Sequence, residues 1–429
     1  MSENENSEKI NVVYHSYDES LSYKFKLEKK YNFLSFRREE SSLGQEAIFS
    51  NDEKDKDENI IEYYNCILKI EKPYENCARG KLVLKFMTIL TQVRHENIIK
   101  LKEIYIHDKI NYNAAYLILE YIPTSVERLI ESNYDYLSNK KIVPFIIYQI
   151  LMGVFYLHSA GIIHRNLNPS NILLDENSIV KITGFNYAIY KDTYENTLKG
   201  ETNDFIEEKT SLSCSGPELI TSKKKSKEDY DEKTDIWSIG CIFASLLLRQ
   251  PVFFPLVKKN NIKWESQING IFKKLGKPSK EEIAKFASKE RAKDVMKLKH
   301  YEKMDKKDLY PNLNDEKAID LLEKFLRINP KDRITILEAK DHPYFDIIQD
   351  WKKDDDFIFK RKPFSYMFKE RIDKMEKNNE PLSKQIEFYK DNISLLEGKY
   401  NNETKTDDNV NYAWNVEFND DESTRDQTK

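Results

Sequence analysis

The side chains best suited to chemistry crowd into one stretch, His164-Arg165-Asn166-Leu167-Asn168-Pro169-Ser170-Asn171, and a second, Ile182-Thr183-Gly184-Phe185-Asn186, follows it closely. The first carries a histidine, an arginine and three asparagines but no carboxylate. An amide donates and accepts hydrogen bonds and offers a neutral oxygen, but it does not take up a proton at ordinary pH. Chemistry built on the asparagines is therefore recognition and positioning, not general-base catalysis. Elsewhere Lys69 sits in the apolar run Cys66-Ile67-Leu68-Lys69, and an acidic cluster, Asp350-Trp351-Lys352-Lys353-Asp354-Asp355-Asp356, lies far downstream. A strand-end lysine reaching solvent is as good a reading of Lys69 as an anion-binding one. The acidic run reads equally well as a solvated surface.

Something must hold those stretches in place, and 429 residues with 39% hydrophobic content supply enough chain for a large core. Short apolar bursts predict strands at Asn32–Phe36, Gln45–Phe49 and Tyr63–Ile70, with the charged run Asn51–Asn59 as a long loop. The period then changes: Leu82, Phe86, Ile89, Leu90 and Val93 share a helical face within Lys81–Val93. Strands return at Ile98–Ile106 and Ala114–Tyr121, after which helical patterns dominate at Val143–Leu157, Asp235–Leu248 and Lys317–Leu326. Residues 1–22 and 401–429 are polar enough to be read as a disordered leader and a disordered acidic tail. Between them and the body, Leu382, Ile386, Tyr389, Ile393 and Leu396 mark an amphipathic helix expected to pack back on the protein.

Net charge of −4 gives no basic bias, so nucleic acid is not the expected partner. Cys66, Cys77, Cys214 and Cys241 lie far apart without a Cys-x-x-Cys spacing, which predicts reduced thiols in an intracellular protein. The start of the chain is polar and acidic and no run reaches eighteen apolar residues, so neither secretion nor a membrane is expected.

The stretch His164 to Asn171 resembles the catalytic loop of protein kinases, whose pattern is His-Arg-Asp-Leu with an Asn five residues after the Asp. Gly184-Phe185-Asn186 falls where that family has Asp-Phe-Gly, and Gly216-Pro217-Glu218 where it has Ala-Pro-Glu. Asp235-Ile236-Trp237-Ser238-Ile239-Gly240-Cys241 resembles the helix that braces the catalytic loop, and Arg333 matches the arginine that pairs with the motif glutamate, here Glu218. Arg94-His95-Glu96-Asn97-Ile98-Ile99, Leu246-Leu247-Leu248-Arg249-Gln250-Pro251, Tyr310-Pro311-Asn312-Leu313 and His342-Pro343-Tyr344-Phe345 look like the mitogen-activated group. The likeness runs from about Phe25 to Arg371.

The resemblance implies an α+β bilobal fold: a small antiparallel β lobe with one main helix (residues 23–121), a larger, mostly helical lobe (122–345) and a C-terminal extension packed on the body (346–400). It also implies a phosphoryl-transfer site, and there the chain departs from the pattern. The base position is Asn166, the following lysine is Asn168, and the metal-binding aspartate is Gly184, which leaves Asn171 as the one metal ligand. A single neutral oxygen is a poor magnesium site. Lys69 stands as the strand lysine, but Phe86 occupies the position of its glutamate partner. Ile67 replaces the alanine laid against adenine, and the glycine loop in Arg38-Glu39-Glu40-Ser41-Ser42-Leu43-Gly44 keeps Gly44 alone. Glu120 and Ile122 fall at the nucleotide-contacting hinge. The activation-lip positions are Ile206 and Glu208, and Ser215 replaces the arginine that shapes the peptide pocket.

The expectation is a catalytically impaired kinase-like protein, cytoplasmic or nuclear, that acts as a scaffold or competitor in a mitogen-activated-kinase-type pathway. On this reading ATP binding is compromised and magnesium is weak or missing. Asp350, Asp354 and Asp355 form a docking patch for basic peptides. Two alternatives stand beside it: an unorthodox serine/threonine kinase using ATP, and a nucleotide-binding switch without transfer.

Overall fold

In the computed structural model of the chain, residues 9–15, 22–28, 31–36, 44–54, 60–107, 114–132, 135–191, 214–221, 231–253, 264–351 and 369–399 are described. A hairpin of β1 (Lys9–His15) and β2 (Ser22–Glu28) comes first. The small lobe is built on a six-stranded antiparallel sheet of β3 (Asn32–Phe36), β4 (Gln45–Lys54), β5 (Ile60–Glu71), β6 (Leu101–His107) and β7 (Ala114–Glu120), completed by a strand from the far end of the chain. Helix α1 (Cys77–Gln92) leaves β5 and lies on one face of that sheet. It starts a turn earlier than its apolar pattern because Asn76 caps it, accepting the Arg79 N–H at 2.9 Å.

Residues 51–54 of the charged run expected to be a loop are strand, and 55–59 lie outside the described residues. Asp52, Glu53 and Lys54 pair with Glu62, Ile61 and Ile60. The reason is position: β5 pairs with β7 only from Asn65 onward, so this end of the β4–β5 hairpin projects as a two-stranded ribbon. Charged side chains at such a site need not be desolvated.

The large lobe is helical. After β8 (Thr124–Ser125) and α2 (Val126–Glu131), α3 (Ile142–Ser159) runs through its core. Helix α3 is long and apolar enough to cross a membrane, but 83% of it is buried inside the lobe. Short strands β9 (Ile162–Ile163), β10 (Ile172–Leu174), β11 (Val180–Ile182) and β12 (Ile189–Tyr190) frame the cleft side. Then come α4 (Pro217–Ile220), α5 (Lys233–Leu248), α6 (Trp264–Leu275), α7 (Lys280–Phe286), α8 (Lys289–Lys297), α9 (Lys306–Leu309), α10 (Glu316–Phe325) and α11 (Ile336–Lys340).

The chain then returns to the small lobe. Helix α12 (Lys369–Lys377) leads into α13 (Leu382–Leu395), which packs on α1, and β13 (Gly398–Lys399) pairs with β6 at Ile104 and Glu103. The Tyr389 ring lies on Gly80, so close that a Cβ there would sit 2.8 Å from its Cγ. Helix α1 is therefore covered on both sides. This explains why Lys81 and Lys85, not only the apolar face, are buried.

Candidate active site

The loop from His164 to Asn171 connects β9 to β10, and one buried carboxylate, Asp235 near the start of α5, fixes its shape. Asp235 accepts the His164 N–H at 2.9 Å, the Arg165 N–H at 2.8 Å and a contact from His158 Nε2 at 2.8 Å. Those bonds hold Arg165 in a left-handed conformation, φ 61°. Burial alone would raise the pKa of Asp235, but the His158 hydrogen bond and the nearby imidazoles outweigh it and hold the carboxyl below its ordinary value. His164 points inward, with Nε2 2.9 Å from the Thr183 carbonyl and its ring edge-on to Phe185 at 4.8 Å. Burial lowers its pKa, so the imidazole is held neutral.

Around this frame the predicted site residues Asn166, Asn168 and Asn171 do come together, and they bond mainly to one another. Asn171 Nδ2 donates to the Asn166 carbonyl at 2.7 Å, and Asn168 Nδ2 donates to the same carbonyl at 3.1 Å and to Asn166 Oδ1 at 3.4 Å. Asn168 Oδ1 accepts from Ser170 N and Oγ and from Asn171 N. Asn166 Nδ2 donates to the Gly184 carbonyl and to Asn186 Oδ1, both at 3.3 Å. Asn186, which the sequence reading gave no role, thus closes the network. Gly184 has φ 84°, and a Cβ on it would lie 2.5 Å from the Asn171 amide. The amide fills the space a side chain at 184 would need.

The roof of the cleft differs from the sequence expectation. Strand β5 pairs Leu68 with Leu117 and Cys66 with Leu119, and Lys69 with Tyr116 and Ile67 with Ile118. Cys66, Leu68 and Ile70 share one buried cluster with Phe86 of α1, Leu117, Leu119 and Phe185. Ile67 belongs to a separate cluster on the opposite face with Ala47, Phe49, Tyr116 and Ile118. Lys69 and Ile67 therefore face away from α1 and the loop, and the residues facing them are Leu68 and Cys66. Lys69 pairs with Glu71 two residues along the same strand, Nζ to Oε1 at 2.5 Å. The signal was available: even positions 66, 68 and 70 are uniformly apolar, whereas odd positions carry Asn65, Lys69 and Glu71. On β4, Glu46 reaches across to Cys66, whose Sγ lies 3.6 Å from its Oε2.

Gly44 lies against the Lys69 carbonyl so closely that any Cβ would collide with backbone, a packing role apart from any phosphate contact. Glu120 accepts the Lys100 N–H at 2.8 Å and pairs with Lys181 at 3.3 Å, and Ile122 is buried in the main core. Residues 38–43, Ile206, Glu208, Asp354 and Asp355 lie outside the described residues, as does the side chain of Asp350. Among the described residues no cluster of His, Cys, Asp and Glu could hold a metal ion.

The protein kinase domain family model matches residues 57–345, a span that holds the loop, its brace and the β5 roof. The chain belongs to that family. Its kinase domain is similar to "Mitogen-activated protein kinase hog-1" of Neurospora crassa, 34% identical over 65% of this chain and 70% of that protein. "Extracellular signal-regulated kinase 1" of Dictyostelium discoideum is 32% identical over 66% of this chain and half of that protein's length. "Mitogen-activated protein kinase HOG1" of Saccharomyces cerevisiae is 33% identical over 65% of the chain and 58% of the relative.

Within this kinase domain the structural motifs are intact. Arg333 grips Glu218 with two parallel bonds of 2.7 Å, both groups buried, and also donates to the Lys233, Arg327 and Ile328 carbonyls. That pairing pins α4 to the turn before α11, and the bond to the Lys233 carbonyl ties both to the start of α5, the geometry in which a buried ion pair is best compensated.

Proposed function

We propose that this MAP-kinase-like domain is a pseudokinase that serves a mitogen-activated-kinase-type pathway as a scaffold or competitor, in the cytoplasm or the nucleus. The observation that carries the reading is a paired replacement. Leu68 faces the core where a strand lysine is needed, and Phe86 stands in the same cluster where its glutamate is needed. Both members of an ion pair have been exchanged for apolar groups, a change a fold tolerates far better than the loss of one. The amide network supports the same reading. Its three loop asparagines and Asn186 bond among themselves, to Ser170 and to the Gly184 carbonyl, and Asn166 cannot accept a hydroxyl proton, a role worth roughly 10²- to 10⁴-fold in rate. ATP and magnesium then bind weakly or not at all, and Asp350, Asp354 and Asp355 serve as the docking patch for basic peptides.

A second reading, ATP-dependent transfer to serine or threonine, is favoured by the kinase names of the relatives and by the retained Asn171. Thermal melting of the full chain with and without millimolar ATP and magnesium, with phosphate transfer assayed in the same samples, separates the two. A ligand at about 100 times its Kd adds about 2.7 kcal/mol, a shift of several degrees. The pseudokinase reading expects no shift and no transfer. Transfer that disappears in Asn166→Ala or Asn171→Ala would sink it. Binding of a Lys/Arg-rich peptide, weakened by salt and by Asp354→Lys/Asp355→Lys, is the expected result for docking.

A further inference from the structure

A cavity of about 400 Å³ in the large lobe opens between the end of α6, α7, the end of α9 and the end of α10. Its buried walls are apolar: Phe286, Leu309 and Leu326 stand there with Tyr310, which is 2% exposed. Glu282, Glu302, Lys303, Arg327 and Asp332 also line it but are exposed, so they ring its mouth. An apolar floor under a polar rim is the usual build of a small-molecule site.

The charges around the cavity are largely spent within the protein. Lys277 Nζ donates to the Met296 carbonyl at 2.8 Å and to the Leu298 carbonyl. Lys303 pairs with Glu323 at 3.1 Å, and His300 Nε2 lies 2.8 Å from Glu302. Glu282 accepts the Ser279 N–H at 2.9 Å, and Asp332 accepts from Asn329 Nδ2 at 2.9 Å. Arg327 is exposed, where water solvates a guanidinium. The floor therefore holds no counter-charge of either sign for a ligand. The Tyr310 hydroxyl is a different case, buried and with no hydrogen-bond partner among the described residues. Burial, with Glu323 nearby, pushes its pKa up, so the phenol stays protonated and able to donate.

We infer that this cavity is a binding site for a small uncharged molecule, apolar over most of its surface and carrying one hydrogen-bond acceptor for the Tyr310 hydroxyl. Contact with Phe286, Leu309 and Leu326 takes the ligand's apolar surface out of water. A carbonyl or ether oxygen gives the phenol the partner it lacks, and a buried donor is costly to leave unmade. A charged ligand would be stripped of its water with no free counter-charge on the floor to meet it. The cavity shares no lining residue with the amide network of the cleft, so the assignment holds whether or not the cleft transfers phosphate.

The test is saturation-transfer NMR and thermal melting of the full chain with four probes of nearly equal shape: acetophenone, ethylbenzene, benzoate and benzylammonium. Acetophenone is expected to bind about tenfold more tightly than ethylbenzene, which fits the floor but offers no acceptor. Benzoate and benzylammonium should each bind at least about tenfold more weakly than acetophenone. Tyr310→Phe should erase the advantage of acetophenone over ethylbenzene and leave ethylbenzene binding as it was. The variant should be at least as stable as the parent in urea, because it removes a polar atom that has no partner. Glu302→Gln/Lys303→Gln, which alters the rim alone, should leave acetophenone affinity within about twofold. Charged probes that bind as tightly as acetophenone would overturn the assignment, as would an acetophenone preference that survives Tyr310→Phe. Binding of none of the four, or a marked loss of stability in Tyr310→Phe, would also overturn it, leaving water as the occupant.

Discussion

Gly184 and the Asn171 amide compete for a space that admits one side chain. Gly184→Asp therefore does not rebuild a metal site. The aspartate must adopt φ 84° and displace the amide, and the variant is expected to lose about 2 kcal/mol or more in urea unfolding. Adding Asn171→Ala should recover part of that loss, because one of the two clashing groups is gone. The roof invites a matching cycle. Leu68→Lys and Phe86→Glu should each cost about 3 kcal/mol or more by placing an unpaired charge in the core. The double variant should be at least about 1 kcal/mol better than the sum, because the charges then meet. Strict additivity would show that the two positions do not face each other. Acid should loosen the loop in two stages. The folded pKa of His164 lies below its ordinary 6.5, so stability is intact above that value and falls as the unfolded chain takes up the proton below it. Asp235 is held below 3.8, so its contribution is present above 3.8 and fades as pH falls through its folded value. The loop residues were legible because they are contiguous and a motif reads them together. The roof was not, since one residue of register decides which face a strand shows, and a lysine in an apolar run draws the eye from its neighbour Leu68.

At the scale of elements, α1 depends on a helix that follows it by some 300 positions. Tyr389, 1% exposed, fills the gap over Gly80, so Tyr389→Ala should cost about 3 kcal/mol. The amides of α1 should then exchange hydrogen faster while those of α3 keep their protection, a pattern that a mass-resolved exchange experiment can read. Equal loosening of both helices would mean that α13 stabilises the whole molecule and not its neighbour. Periodicity revealed both helices, because each writes an apolar face into its own sequence. It could not reveal that they touch, since nothing local encodes a contact of that separation. The buried Lys81 and Lys85 hid it further, as they make the covered side of α1 look solvated. The β4–β5 ribbon misled in the opposite way, its charges imitating a loop where backbone pairing runs on to Lys54 and Ile60.

For the molecule as a whole, the path of the chain is as consequential as its charge. The large lobe carries the buried Glu218–Arg333 grip and the Asp235 brace, and among the described residues their hydrogen bonds stay within that lobe. Removing residues 369–399 should leave that lobe folded while uncovering α1 and the β6 edge. The truncated chain is expected to bind a hydrophobic dye and to self-associate, whereas the parent stays dispersed. The same path bears on the order of assembly during synthesis. Strand β13 supplies the last rung of a sheet whose other strands are made more than 270 residues earlier, and Glu397 accepts the Ile106 N–H at 3.2 Å beside it. Domains usually close as the ribosome delivers them, first made and first finished. Here the lobe that emerges first is finished last: until Lys399 has been added, the growing chain carries an open sheet edge and a bare helix face, surfaces that a chaperone would have to shield for most of translation.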